Sequence, residues 1–248
     1  MEPFTKADVI TQLQQDILRL QGFRYSAQSS IDVGLGSLLN AFPNAAFPVG
    51  AVHEFISPTL EDHAATDGFI TGLLTSLLDM RGTLLWISSC RTLFPPALKN
   101  FGVEPDHVIF IDLQKEKQVL WAMEEALKCA ALTAVVGELH EIDFTASRRL
   151  QLAVEQSRVT GLIIRRNAKK LTTTACIARW KITSLPSEAI EDLPGVGSPA
   201  WRVELLRIRN GKPGVWKVVW INGRFITQEI ALERSLPATP LWKQLKTG

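Results

Sequence analysis

From Pro48 onward, short apolar runs alternate with stretches whose apolar positions recur every three or four residues. AVHEFI (51–56), TLLWI (83–87), VIFI (108–111), LTAVV (132–136) and GLII (161–164) have the length of strands. Their near-continuous apolar character is that of strands buried on both faces. Between them, 64–78, 97–101, 117–130 and 147–157 have helical spacing, the first weakened by Gly68 and Gly72. Such alternation predicts βαβ units and a mostly parallel sheet. After Thr172 the helical spacing stops. Runs at 175–183, 201–209 and 215–221 predict three more strands, with Asn210-Gly211-Lys212-Pro213-Gly214 as a hairpin turn between the last two. The sheet therefore ends in an antiparallel extension, and 185–199, with Pro, Gly and Ser, is expected to be a flexible connection. Ahead of this region Val9, Leu13, Ile17 and Leu20 recur at helical spacing over 8–21, and Gly22 ends the run. The organisation expected is an N-terminal helix and linker (1–46), an α/β core (47–222) and a C-terminal tail (223–248) that carries Pro237, Pro240 and Trp242.

Composition narrows the class. Hydrophobic residues make up 46% of the 248, enough for a sizeable core. No apolar stretch approaches the ~18 residues of a membrane span, and Met1-Glu2-Pro3-Phe4-Thr5-Lys6 lacks the basic-then-apolar order of a signal peptide. The formal charge of +2 is nearly balanced, where a dedicated nucleic-acid binder usually carries a larger basic excess. Cys90, Cys129 and Cys176 form no pair and no metal spacing, which suits a reducing, cytoplasmic setting. Cys129 and Cys176 lie in apolar contexts and are expected to be inert core thiols; Trp121, with Met123 and Leu127, is expected to pack.

In a parallel sheet, ligands bind beyond the carboxyl ends of the strands. A phosphate loop after the first strand needs G-x-x-x-x-G-K-[ST], whose backbone N–H groups and lysine cradle the phosphates. Here 57–68 contains no lysine and no glycine before Gly68, while Glu61, Asp62 and Asp67 add negative charge. Like charges a few ångströms apart cost on the order of 1 kcal/mol even in water. Glu138, just past LTAVV, is a candidate metal-orienting carboxylate, with a solvated acid as the alternative. After TLLWI, Ser88-Ser89-Cys90-Arg91 offers no carboxylate to activate water. The expectation is a chain that does not turn over ATP, with residual nucleotide binding left open and no cofactor. His53 and Glu54 are adjacent and point to opposite faces of a strand, so they do not share a metal; Glu54 is expected to have a buried partner. Glu61, Asp62 and His63 could suggest a metal, but three consecutive residues in a loop seldom make a site, and a structural role is expected.

The densest basic run supplies Arg165, Arg166, Lys169 and Lys170, a candidate DNA phosphate contact with a solvated turn as the alternative. Aromatic residues for base stacking are not interleaved there, so weak or no direct DNA binding is expected. Arg148 and Arg149 lie near a helix start, where cations are disfavoured; an acidic neighbour or partner and plain solvation are both open. Leu241 and Trp242 in the Pro-rich tail are candidate partner-binding anchors.

Residues 47–54 (FPVGAVHE) and 83–96 resemble the first two strands of the RecA ATPase core, which implies a RecA-like three-layer α/β fold. In that alignment Cys90 stands where the RecA family has its catalytic glutamate, 57–66 covers the phosphate loop, and the segments resembling the DNA loops, 138–147 and 165–174, are short. VHE (52–54), LWAMEEALKC (120–129), AVVGEL (134–139), TASRRLQLA (145–153) and WRVELLR (201–207) resemble the ImuA family over about 47–222. The resemblance implies a non-catalytic accessory subunit, a pseudo-ATPase, of error-prone translesion DNA synthesis in the SOS DNA-damage response. It implies work with ImuB, an inactive Y-family polymerase homologue, and through that complex with an error-prone DNA polymerase III alpha-type subunit. RecA, DNA and self-association through the N-terminal helix are further expectations. The alternatives are a SulA-type cell-division inhibitor and an atypical RecA-like ATPase using Glu138 and a lysine from elsewhere.

Overall fold

The computed structural model describes Leu13 and residues 32–78, 82–168, 170–188 and 197–230. In chain order these form β1 (Val52–Ser57), α1 (Leu60–Leu77), β2 (Leu84–Ser88), β3 (Val108–Asp112), α2 (Glu116–Ala126), β4 (Ala134–Leu139), α3 (Phe144–Ser157), β5 (Thr160–Arg166), β6 (Ala178–Glu188), β7 (Ser198–Ile208), β8 (Gly214–Ile221) and β9 (Arg224–Glu229), with short 3-10 helices between them. The nine strands make one sheet in the order β3-β2-β4-β5-β1-β6-β7-β8-β9. Pairing is parallel from β3 to β6 and antiparallel from β6 to β9. This is a RecA-like α/β fold. α1 packs on one face, and α2 and α3 on the other. Every residue of β1, β4 and β5 is buried, as strands covered on both faces must be.

Alternation along the strands sorts the side chains into two cores. Trp86, Trp180, Trp201, Trp216 and Trp220 all enter the core on the α1 side, which accounts for much of the tryptophan content. Trp180 stacks on Phe55 with ring centroids 5.8 Å apart. Trp121 departs from expectation: it is 64% exposed on α2, and Val119 and Met123 fill the core there instead.

α1 begins at Leu60, four residues before the predicted start, because Thr59 caps it. Thr59 Oγ1 accepts from the Asp62 backbone N–H at 3.3 Å and donates to Asp62 Oδ2 at 2.7 Å. The two helix glycines lie where aromatic rings press closest, Phe101 and Trp201 at Gly68 and Phe225 and Trp220 at Gly72. A Cβ on Gly72 would stand 2.6 Å from Phe225 Cζ and 3.0 Å from Trp220 Cζ3. Gly72→Ala is therefore expected to lower stability by about 1–3 kcal/mol through overpacking, although alanine is the better helix former. Urea unfolding checks this, and a stabilised variant would show that the rings yield.

The folded core reaches past the predicted boundaries on both sides. Val33, Leu35, Leu38 and Phe42 belong to it. β9 pairs with β8 and buries Phe225 in what reads as tail. β6 runs on to Glu188 and β7 starts at Ser198, so both ends of the predicted connection are strand. The N-terminal helix predicted over 8–21 lies outside the described residues, apart from Leu13. No helix among the described residues is long and apolar enough to cross a membrane.

Candidate functional site at the strand ends

β1 ends at Ser57 and α1 starts at Leu60, so Pro58 and Thr59 are all that connects them. Two residues cannot wrap a phosphate chain as a glycine-rich loop does. The first turn of α1 also carries Glu61 and Asp62, and Asp62 Oδ1 accepts from the Ser184 backbone N–H at 2.9 Å.

Beside this turn, polar side chains from three strands converge on α1. Alternation places Trp86 on β2, Glu138 on β4 and Arg166 on β5 on the α1 side. Trp86 Nε1 donates to Glu138 Oε1 at 2.7 Å, and Arg166 Nε donates to Glu138 Oε2 at 2.6 Å. Arg166 Nη2 donates to both carboxylate oxygens of Asp67 on α1, at 3.0 and 3.1 Å. All three charged side chains are less than a tenth exposed. Both oxygens of Glu138, the candidate metal carboxylate, thus have partners inside the protein. Among the described residues no group of His, Cys, Asp or Glu could hold a metal ion. Ser57 Oγ, His63 Nε2, Thr66 Oγ1 and Arg166 Nη1 have no protein hydrogen-bond partner.

One guanidinium serves two carboxylates here. Burial pushes the Asp67 carboxyl up to about 7; the Glu138 charge acts in the same direction and Arg166 opposes it. His63, one turn earlier on α1, is pushed below its ordinary value by burial and by Arg166, against a hydrogen bond with the Asn167 side chain. For Asp67 the folded pKa lies above the ordinary 3.8. The folded chain then binds this proton more tightly than the unfolded chain, and stability from this group falls as pH rises from about 4 to about 7. The stability difference between wild type and Asp67→Asn, from urea unfolding at several pH values, is expected to shift against wild type across that window. A difference flat with pH would show Asp67 ionised throughout.

On the opposite face lies a second buried network. Glu54 is fully buried; it accepts from Arg165 Nη1 at 3.0 Å, Arg179 Nε at 2.8 Å and Thr174 Oγ1 at 2.8 Å. Arg165 also donates to the carbonyls of His140 and Lys170. His53, facing the other way, bonds through Nε2 to the Pro48 carbonyl at 2.7 Å and stacks on Phe47. Burial pushes its imidazole down to about 4.

The predicted basic DNA patch is thereby divided. Arg165 and Arg166 are buried ion-pair partners rather than a solvated pair, because β5 runs two residues past its apolar run and acids on β1, β4 and α1 draw each guanidinium inward. Lys170 is exposed. Lys169, Leu241 and Trp242 lie outside the described residues. Arg148 and Arg149 do have acidic neighbours, Glu155 at 3.5 Å and Glu124. Cys176 is buried, its thiol pushed up to about 12 by burial and by Glu54. Cys129 is exposed, against expectation, because it follows the end of α2; Cys90 is exposed as well. Sequence reasoning missed the Asp67–Arg166–Glu138–Trp86 network. The available signal was the consecutive arginines at a strand end, which must split between two faces.

Fold and site together define a RecA-like α/β protein in which a two-residue connection and internal ion pairs stand at the phosphate position. No protein-family model matches the chain. Two curated relatives, both named Protein ImuA and from the NA1000 and CB 15 strains of Caulobacter vibrioides, are each 34% identical to it across 75% of this chain and 81% of their own length. The chain belongs to the ImuA family, which gives it an accessory role in SOS mutagenesis.

Proposed function

We propose that the protein is a non-catalytic accessory subunit of an error-prone translesion DNA synthesis complex in the SOS response. It binds the ImuB-type inactive Y-family polymerase homologue, and through that complex it meets an error-prone DNA polymerase III alpha-type subunit. The observation that carries this reading is the closure of the phosphate position. Arg166, which pairs across the sheet with Ser57 at the end of β1, is held by Asp67 and Glu138, and the β1–α1 connection has no phosphate-wrapping length. Such a site stiffens a scaffold and offers no place to activate a triphosphate. The exposed Trp121 supports an interaction role, since a large aromatic side chain on an open helix face is the kind that anchors partners.

The test is co-purification of the full chain with the ImuB-type protein encoded by the same organism, beside the division GTPase as competitor. Retention of the ImuB-type protein alone is expected. Retention of the division GTPase instead would replace this reading with the SulA-type alternative.

A further inference from the structure

Between β5 and β6 the chain passes through 170–174, beside the buried Glu54 network. Three guanidiniums hold its backbone there. Arg165 donates to the Lys170 carbonyl at 3.0 Å, Arg179 to the Thr172 carbonyl, and Arg207 to the Thr174 carbonyl at 2.7 Å. The three come from β5, β6 and β7, and Glu54 fixes Arg165 and Arg179 in turn. Two hydroxyls tie down the same residues. Thr172 Oγ1 donates to the Ile142 carbonyl at 3.0 Å, and Thr174 Oγ1 to Glu54 at 2.8 Å. Past Thr174 the chain turns inward: the Ala175 N–H donates to Ser147 Oγ, and the Ala175 carbonyl accepts from Arg209.

The carbonyls held in 170–174 are those of alternate residues. In an extended chain the N–H and C=O of one residue point to one side, and those of the next residue to the other. Lys170, Thr172 and Thr174 thus turn toward the arginines, and Leu171 and Thr173 turn away. Among the described residues nothing bonds to the backbone N–H or C=O of Leu171 or Thr173. Both residues are exposed. The result is a short strand edge outside the sheet, fixed from behind by cations instead of by a neighbouring strand. Fixing it beforehand removes an ordering cost that a partner would otherwise meet.

Apolar surface flanks this edge. Leu171 is 52% exposed, and the Thr172–Ile142 bond draws up the start of α3, where Phe144 is 54% exposed. The exposed charges nearby do not suit a polyanion, since Glu141, Asp143 and Glu155 answer Lys170 and Arg148. An extended protein segment meets both features. Its main chain pairs with the free N–H and C=O groups, and an apolar side chain covers the flank.

We propose that 170–174 is a preformed edge to which an extended segment of a protein partner adds, main chain to main chain at Leu171 and Thr173, with an apolar side chain packed on Leu171 and Phe144. On the accessory-subunit reading above, on which this assignment rests, that partner is the ImuB-type protein.

The test is hydrogen–deuterium exchange on the full-length chain, free and with the ImuB-type protein encoded by the same organism, beside co-purification of variants. Exchange across 170–174 is expected to slow by about tenfold or more in the complex. Thr173→Pro removes one donor and suits an extended residue before it, and it should weaken retention of the partner by about tenfold. Thr173→Ala keeps the N–H and should retain the partner as wild type does, whereas Leu171→Ser should weaken it. Urea midpoints show whether each variant is folded, and the exchange result on wild type decides the matter if Thr173→Pro is not. Retention of the partner while 170–174 exchanges as fast as in the free chain would overturn this assignment and leave the accessory reading standing. No retention by wild type would overturn both. Slowing that appears when the chain alone is concentrated would give the edge to a second copy. Slowing by oligothymidylate and not by the partner would give it to nucleic acid, and either result would overturn the proposal.

Discussion

Glu54→Gln is expected to lower the unfolding free energy by about 3–5 kcal/mol, the cost of breaking a buried charge network from one side. Glu54 is fully buried between Arg165 and Arg179 and is the carboxylate that both guanidiniums contact. Glutamine preserves the volume, so no cavity contributes, and Thr174 Oγ1 can still donate to its amide oxygen. What disappears is the negative charge that compensates two buried cations. The network joins β1, β5 and β6 at the middle of the sheet, so the loss should appear in the global transition and not in local fraying. Urea unfolding at pH 7 measures it. A loss below about 1 kcal/mol would mean that the carbonyls of His140, Lys170 and Thr172, which already accept from these arginines, satisfy them without the carboxylate.

Arg166→Met is expected to cost a similar amount, about 3–5 kcal/mol, for the reverse reason. It leaves Glu138 and Asp67 buried without their cation, and the Glu138 charge already pushes the Asp67 carboxyl up. Much of the cost should return when the charges are removed as well. The combined variant Arg166→Met, Asp67→Asn, Glu138→Gln keeps an acceptor for Trp86 Nε1 and leaves no uncompensated charge, so it should recover at least half of the lost stability. Buried ion pairs can often be replaced by neutral side chains at little net cost, whereas removing one partner alone is expensive. If the combined variant is as unstable as the single one, the damage comes from lost packing of the arginine stem and not from charge.

β1, β2, β4 and β5 were legible because burial on both faces leaves an apolar run that needs no partner to be recognised; β3 shows the same run although it lies at the sheet edge with Ile109 half exposed. The antiparallel strands were found with shorter limits, since β6 and β7 extend into polar residues whose placement is fixed only by pairing across the sheet. β9 was missed for the same reason. Arg224–Glu229 is mostly polar, and only its pairing with β8 and the burial of Phe225 make it a strand. The site was legible in part. The missing phosphate loop can be read from 57–68 directly, because it is a local pattern. The ion pairs cannot, because Glu54 meets Arg165 and Arg179, and Asp67 meets Arg166, across about a hundred residues of chain. Adjacent arginines read as a surface patch until the strand separates them to opposite faces, each toward a distant acid.

The most direct measurement of the closed phosphate position is a calorimetric titration of the wild-type chain with Mg-ATP at neutral pH. The account predicts no saturable heat, because Arg166 is already held by Asp67 and Glu138 and the connection before α1 is two residues long. Saturable binding tighter than about 0.1 mM, roughly 5.5 kcal/mol, would contradict it.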